Sequence, residues 1–159
     1  MSKLAKKIIK IAKYKKFKIS IAESCTGGLL SSIFTSVSGA SKVFEIGFIT
    51  YSNKSKIDML KVPKKIIKKY GAVSEECCLS MLNGLMKMNK VSIALAITGI
   101  AGPKGGSLKK PVGLVYIGLK IKSKIKIQKI IFKKKNRIQV QKASTNEALK
   151  LMLSALSKK

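Results

Sequence analysis

The sequence predicts an α/β fold, in the form of a single three-layer α/β/α domain around a mixed, mostly parallel sheet. Segments with helical spacing of apolar residues alternate with strand-like segments through most of the chain, which is typical of parallel βαβ units. The run from Val91 to Ile97, in which Ser92 is the one polar residue, is expected of a central strand that helices cover on both faces. Near the end, Val112 to Lys122 and Lys124 to Phe132 alternate and predict an antiparallel hairpin, which makes the sheet mixed.

The chain is predicted to begin with a helix and a strand. Leu4, Ile8, Ile11 and Ala12 recur at helical spacing, and lysines fill the opposite face. A basic amphipathic helix could lie on an acidic membrane, but packing on the core is favoured. The alternation from Phe17 to Ala22 predicts the first strand.

Small residues mark the next boundaries. The pair Gly27–Gly28 opens a helical pattern that continues through Phe34, so residues 24–26 are expected between a strand end and a helix start. Residues 39–41 predict a turn. Residues 43–51 are rich in aromatic and β-branched side chains and predict a strand.

Capping residues and a proline define the helices that follow. Asn53 predicts a helix cap, and its helix should end near Pro63, since proline disfavours a helical conformation in the residue before it. A further helix reaches about Tyr70. Ser74 predicts the start of a longer helix, because its hydroxyl and the two acidic residues after it complement exposed N–H groups. The segment from Arg137 onward predicts the last helix.

Composition limits the chemistry. The 159 residues include no histidine, so the chain alone cannot build a Ser-His-Asp triad, a Cys-His pair or a histidine-ligated zinc site. Its six carboxylates are too scattered for a paired acid and base or a calcium loop. Cys25, Cys77 and Cys78 have neither a disulfide framework nor metal-ligand spacing. We therefore expect no metal and no cofactor, and a catalyst must use lysine and hydroxyl groups.

The net charge of +28 is a poor guide to partners. Clustered lysines favour nucleic-acid binding, but these are spread over the whole chain, and Arg137 is the one arginine among 34 basic residues. Joint enrichment in lysine and isoleucine is better explained by the codon bias of an AT-rich genome. A nucleic-acid partner is not expected. Since no apolar run approaches the roughly 20 residues of a membrane span and no signal peptide is evident, we expect a cytoplasmic protein without a membrane partner.

Two glycine-containing loops point to a site. Residues 98–107 follow the apolar strand, and residues 22–28 lead into a predicted helix. Glycines let backbone N–H groups approach a ligand, and a helix start offers unpaired donors to a phosphate or an oxyanion. The sequence leaves open which loop would bind a phosphate and which would stabilise an oxyanion.

Five motifs in order carry a resemblance to a known family. They are Ala22-Glu-Ser-Cys-Thr-Gly-Gly28, Gly47-Phe-Ile-Thr-Tyr-Ser-Asn53 with Lys56, Gly71-Ala-Val-Ser74, Thr98-Gly-Ile-Ala-Gly-Pro103 with Gly105-Gly-Ser107, and Lys110-Pro-Val-Gly113. Nearly end to end, the chain resembles the CinA C-terminal domain family. The resemblance implies a stand-alone nicotinamide-nucleotide amidase of the PncC type, which converts nicotinamide mononucleotide to nicotinate mononucleotide and ammonia in pyridine-nucleotide recycling. The large N-terminal domain of full CinA proteins, and its pyrophosphatase activity, are expected to be absent.

The resemblance also implies catalytic roles. The family's nucleophile falls on Ser41, its tyrosine and lysine on Tyr51 and Lys56, and the serine of its Ala-Glu-Ser motif on Ser24. As a hypothesis, a desolvated neutral Lys56 takes the proton of Ser41, directly or through Tyr51, and Ser41 attacks the amide carbon to form an acyl-enzyme that water hydrolyses. The alternative, non-catalytic interpretations are a helix cap for Ser24, a turn residue for Ser41 and a solvated lysine for Lys56.

Substrate contacts are predicted on both loops, with Arg137 matching a late arginine of the family. The predicted binding residues are Thr26, Gly27, Gly28, Thr98, Gly99, Ile100, Ala101, Gly102, Gly105, Gly106, Lys110 and Arg137. The expected partners are a small-molecule nucleotide substrate and a second copy of the chain in a homodimer. Alternatives are a catalytically inactive nucleotide-binding relative and a basic nucleic-acid-binding protein.

Overall fold

The computed structural model describes residues 1–88 and 91–157. In this part of the chain, six α-helices and one 3-10 turn accompany a five-stranded sheet. In chain order the elements are α1 (Ser2–Tyr14), β1 (Ile19–Glu23), α2 (Leu29–Thr35), the 3-10 turn (Ala40–Lys42), β2 (Phe44–Ile49), α3 (Asn53–Leu60), α4 (Lys64–Tyr70), α5 (Glu75–Met88), β3 (Ile93–Gly99), β4 (Leu114–Ile121), β5 (Lys124–Ile131) and α6 (Arg137–Ser157).

The sheet has the order β2-β1-β3-β4-β5. Strand β1 pairs in parallel with both β2 and β3, whereas β4 pairs antiparallel with β3 and with β5. Four strands therefore run in one direction and β4 opposes them. The prediction of a mixed, mostly parallel sheet with a hairpin near the end of the chain is confirmed.

Helices cover both faces of the sheet, as predicted. One face packs against α1, α2 and α6 through large side chains such as Ile21 and Leu95. The other face packs against α5, with α3 and α4 beside it, and here β1 and β3 present smaller residues such as Ala22, Ala94 and Ala96. The alternation of side chains along each strand puts its two sets of residues into two separate cores.

The basic first helix packs on the protein core. Ala5, Ile8 and Ala12 of α1 are fully buried in the cluster that α2 and α6 complete. The helix therefore uses its apolar face within the fold, as predicted. None of the described helices combines the length and the apolar character that a membrane crossing requires.

Two glycines bring α5 close to its neighbours. A Cβ at Gly84 would lie 2.1 Å from the backbone oxygen of Leu60, the last residue of α3. A Cβ at Gly118 of β4 would lie 2.8 Å from Cys78 Sγ. Helix α5 thus rests directly on the sheet and on the end of α3, which fixes the position of α3.

Gly84→Ala is expected to lower the free energy of unfolding by about 2 kcal/mol, because the added methyl group would meet a backbone atom that cannot rotate away. Helix propensity alone predicts the opposite sign, a gain of about 1 kcal/mol. Urea denaturation measures the difference. Lys87→Ala, at an exposed position of the same helix, is the control and should change stability by no more than about 0.5 kcal/mol. Equal or higher stability of Gly84→Ala would contradict the close packing.

Helix caps agree with the sequence except in one place. Ser74 Oγ accepts from the backbone N–H of Cys77 at 3.1 Å, as predicted for the start of α5. The predicted cap at Asn53 is wrong by one residue. Ser52 is the cap of α3, since its side chain and that of Ser55 each accept from the other's backbone N–H. This reciprocal arrangement satisfies the backbone N–H groups of both Ser52 and Ser55.

Strand β2 is shorter than predicted, and β5 forms one edge of the sheet. Strand β2 ends at Ile49, so Thr50 and Tyr51 belong to the loop before α3.

At the β5 edge, an exposed lysine recurs at positions 124, 126 and 129.

Candidate active site

The carboxyl ends of three neighbouring parallel strands meet at one edge of the sheet. Ser24 follows β1, Thr50 follows β2, and Ile100 follows β3. The Ser24 N–H donates to Ile97 O at 3.0 Å, and the Thr50 N–H donates to Glu23 O at 2.8 Å. These bonds continue the sheet pattern beyond the strands and hold the loops side by side. Ligand sites in open α/β sheets form at this edge.

A cleft of about 260 Å³ opens where these loops meet the start of α6. Most of the predicted site residues line it, namely Ser24, Tyr51, Lys56, Thr98, Gly99, Ile100, Ala101, Gly102, Gly105 and Arg137. The sequence had given no binding role to Ala72, Val73 and Lys104, which also line the cleft. A larger cavity of about 330 Å³ lies at the opposite edge of the sheet, around the β4–β5 turn, away from these side chains.

Lys56 is buried beneath the cleft, with 1% of its surface exposed. Its ammonium donates to Ser24 Oγ at 2.9 Å, to Thr50 O at 2.6 Å and to Tyr51 O at 3.4 Å. Within residues 1–88 and 91–157 it forms no ion pair. Because burial removes water without supplying a carboxylate, it lowers the pKa of Lys56 below its usual value, which is the direction that the sequence hypothesis requires.

The three neighbours of Lys56 also fit its neutral form. A neutral amine has two N–H donors and one lone pair. Two neighbours, Thr50 O and Tyr51 O, can only accept, whereas the Ser24 hydroxyl can donate. A deprotonated Lys56 thus keeps both carbonyl bonds and directs its lone pair to Ser24, which is the arrangement of a general base with its nucleophile.

Ser41 lies away from this arrangement, so the predicted pairing of Ser41 with Lys56 is corrected. Ser41 is exposed in the 3-10 turn before β2, whereas Lys56 follows the other end of that strand. The six residues of β2 span roughly 20 Å, too far for a proton transfer between the two side chains. Ser24 is the hydroxyl that the fold brings to Lys56.

The loop of Thr26, Gly27 and Gly28 faces a different depression, which it shares with Gln141 and Lys142 of α6. Gln141 Nε2 donates to Cys25 O at 2.8 Å and ties this loop to α6. Only the first part of the loop, Ser24 and Cys25, reaches the cleft.

Cys25 beside Ser24 is a neutral thiol. Burial raises the pKa of Cys25 to about 12. At neutral pH the residue therefore has no thiolate to act as a nucleophile, and 4% of its surface is exposed. It packs, as the sequence interpretation held.

Arg137, the first residue of α6, bridges two walls of the cleft. Its Nη1 donates to Gly102 O and its Nη2 to Tyr51 Oη, both at 2.9 Å. Tyr51 is 60% exposed, so this bond orients an open aromatic ring at the cleft mouth. The guanidinium retains further N–H donors for a ligand, and Lys104 supplies a second cation.

Lys110 and Gly106 do not line the cleft, so its geometry does not support their predicted roles as binding residues. Lys110 Nζ donates to Tyr70 O at 2.5 Å and to Val73 O at 2.7 Å, and so holds the segment after α4 in place. Thr98 Oγ1 donates to Ala72 O of the same segment at 2.8 Å. A Cβ at Gly106 would lie 2.8 Å from the backbone nitrogen of Val112, so this glycine serves close packing of the loop.

A model of the CinA C-terminal domain matches residues 1–156. The chain belongs to the CinA C-terminal domain family. The resemblance seen in the sequence motifs is therefore confirmed. A CinA-like protein from Leptospira biflexa is 45% identical over 147 residues, which cover 92% of this chain and 35% of that relative. The chain spans about a third of the length of the curated relatives it matches.

Solved structures of the family have the same fold. The crystal structure of the competence/damage-inducible protein CihA from Agrobacterium tumefaciens matches with a TM-score of 0.95 and 38% identity, covering 99% of this chain and 95% of that one. A competence or damage-inducible protein from Enterobacter asburiae matches with a TM-score of 0.94 and 26% identity, covering 98% of both chains. The arrangement of six helices around an open, mixed sheet is thus the CinA fold.

Proposed function

We propose that this chain is an amidase that hydrolyses the carboxamide of nicotinamide mononucleotide, with Ser24 as nucleophile and Lys56 as general base. The observation that carries the proposal is the buried Lys56 amine 2.9 Å from Ser24 Oγ at the base of an open cleft. The chain has no histidine, and among the described residues that line the cleft this pair joins a hydroxyl to a base of lowered pKa. Membership of the CinA family supports the substrate class through the resemblance described above.

In the proposed acylation step, Lys56 takes the proton of the Ser24 hydroxyl while Ser24 Oγ bonds to the amide carbon. The carbonyl oxygen becomes an oxyanion. The tetrahedral intermediate then collapses as the Lys56 ammonium returns the proton to the leaving nitrogen, which departs as ammonia and leaves an ester on Ser24. In deacylation Lys56 takes a proton from water, the hydroxide attacks the ester carbon, and Ser24 regains its proton.

The backbone N–H group of Cys25, which lines the cleft, is our candidate for the oxyanion donor. Within the described residues it donates to no other residue, and it follows directly after Ser24. The N–H of the residue after the nucleophile serves this role in hydrolases with a serine at a strand-to-helix turn. Each such donor is typically worth about 3 kcal/mol in the transition state.

Arg137 and Lys104 are our candidates for the nucleotide phosphate. Both line the cleft, whereas Gly27 and Gly28 of the Ser24 loop do not. Arginine holds phosphate through paired N–H donors, which suits the one arginine of the chain.

Arg137→Met is expected to raise KM for nicotinamide mononucleotide by about tenfold or more, because a charged hydrogen bond to phosphate is lost. Nicotinamide riboside, which has no phosphate, is the matched substrate, and its kcat/KM should change by less than about threefold. Steady-state ammonia release with both substrates measures this. An equal loss for both would mean that Arg137 acts through Tyr51 and Gly102 and does not bind phosphate.

The proposal is tested by measuring ammonia release from nicotinamide mononucleotide by the purified protein in the presence of a chelator. Turnover that forms nicotinate mononucleotide and ammonia in equal amounts is expected. A folded protein that binds the nucleotide without turnover would overturn the amidase proposal and identify a non-catalytic binding protein.

A further inference from the structure

Glu23, the last residue of β1, is fully buried next to Ser24. Its Oε2 accepts from the N–H groups of Gly28 and Leu30 at 3.2 and 3.0 Å. Its Oε1 accepts from the N–H and the hydroxyl of Ser31 at 2.8 and 2.7 Å. One carboxylate thus takes four hydrogen bonds from the start of α2, and the loop between residues 23 and 28 is closed at its base.

Strand β2 leaves room for the Ser31 side chain beside Glu23. A Cβ at Gly47 of β2 would lie 2.4 Å from Ser31 Oγ, so the glycine provides the space in which the Ser31 hydroxyl turns to Glu23. The bond from Thr50 N–H to Glu23 O and the bond from Ser24 N–H to Ile97 O hold the backbone on both sides. The carboxylate therefore sits in a prepared pocket between the strand end and the helix.

The carboxylate also fills the place that an anionic ligand would take. The first N–H groups of a helix attract negative charge, and here Glu23 supplies that charge from within the chain. The donors left after Ser24 are the N–H groups of Cys25 and Thr26. A phosphate at the start of α2 would have to displace a buried carboxylate with four hydrogen bonds.

We infer that Glu23 is a positioning residue: its carboxylate ties the start of α2 to the end of β1, sets the Ser24 hydroxyl against Lys56, and keeps the α2 start closed to substrate anions. This inference rests on the proposed function of Ser24 and Lys56 for its catalytic part. It leaves the substrate phosphate to Arg137 and Lys104 of the cleft, because the N–H of Gly28 already donates to the Glu23 carboxylate.

Glu23→Gln is the test, because glutamine has nearly the same shape but places an NH₂ donor against backbone N–H donors. The expected result is a fall in kcat of about 10- to 100-fold with KM changed by less than about threefold, since the proposed phosphate residues are untouched. Ser31→Ala, which removes one of the four hydrogen bonds, should give a smaller fall in kcat. Glu45→Gln, at a half-exposed carboxylate paired with Lys18, is the matched control and should leave kcat unchanged.

Hydrogen exchange read by mass spectrometry supplies a readout without substrate. In Glu23→Gln, amides of residues 24–31 should exchange faster while peptides from α5 and α6 keep their wild-type rates. Faster exchange confined to this segment supports the inference even if the wild type shows no amidase turnover, in which case the proposed function alone fails. Unchanged exchange in this segment, or a loss of kcat that only follows the fraction of unfolded protein, would overturn it.

Discussion

Ser24→Ala is expected to reduce kcat for ammonia release by about 10,000-fold or more, which corresponds to about 5 kcal/mol of lost transition-state stabilisation. The loss follows because alanine leaves no oxygen to bond to the amide carbon beside Lys56. KM should stay within about threefold, since the proposed phosphate residues lie on other loops. Steady-state ammonia release measures both constants, and circular dichroism confirms that the variant is folded.

Ser41→Ala is the matched control, because Ser41 is exposed in the turn before β2. Its kcat should remain within about twofold of wild type. The opposite pattern, with full activity in Ser24→Ala and none in Ser41→Ala, would restore the assignment that the sequence motifs first suggested. It would also require a different base, since Lys56 lies beyond the far end of β2.

Lys56→Met is expected to reduce kcat by about 1,000-fold or more, because methionine fills the buried space without accepting the Ser24 proton. In the wild type, kcat should rise with pH as Lys56 loses its proton, since the protonated amine cannot act as a base. Burial lowers the pKa of Lys56, so the midpoint of this rise should fall below the usual lysine value of about 10.4. A pH–rate profile of wild type and variant measures both effects.

Lys54→Met on the same helix is the control, because Lys54 is exposed and pairs with Asp58. It should keep both the wild-type rate and the wild-type pH profile. A rising limb that persists in the residual activity of Lys56→Met would show that another group titrates, and would contradict the assignment of Lys56 as the base.

The fold was predictable because its signals are local. The apolar runs of β3 and β4 arise from burial on both faces of the sheet, and the alternation in β5 arises from burial on one face. Each signal is visible within about ten residues. Glycine and serine at the boundaries marked turns and caps. The error at Asn53 is of the same local kind, since two neighbouring residues can both cap a helix and the geometry selected Ser52.

The site was predictable in its loops but not in its pairing. Residues that follow parallel strands share one edge of the sheet, so the loops after β1, β2 and β3 are expected to lie next to one another. Applied to Ser41, this rule places it at the opposite edge, because it precedes β2. The motif resemblance assigned the nucleophile to Ser41 without regard to which edge of the sheet it lies on. Ser24 follows β1 and therefore lies at the same edge as Lys56.

The roles of Glu23 and Lys110 could not be derived from local pattern. Lys110 bonds to carbonyl groups 37 and 40 residues earlier in the chain, and no periodicity encodes such a contact. Glu23 looked like one of six scattered carboxylates, since its partners are mostly backbone N–H groups, which every sequence provides. One signal was present: a carboxylate at a strand end, five residues before a glycine that opens a helix.

The lysines along β5 affect how copies of the molecule meet. An open sheet edge exposes unpaired N–H and C=O groups that can recruit a strand of another copy and begin aggregation. Strand β5 carries three lysines and no acidic residue, so a second β5 laid against it would bring like charges together in either orientation. The lysines of β5, which indicate no particular ligand, thus have a physical effect: they make the exposed β5 edges of two copies repel each other.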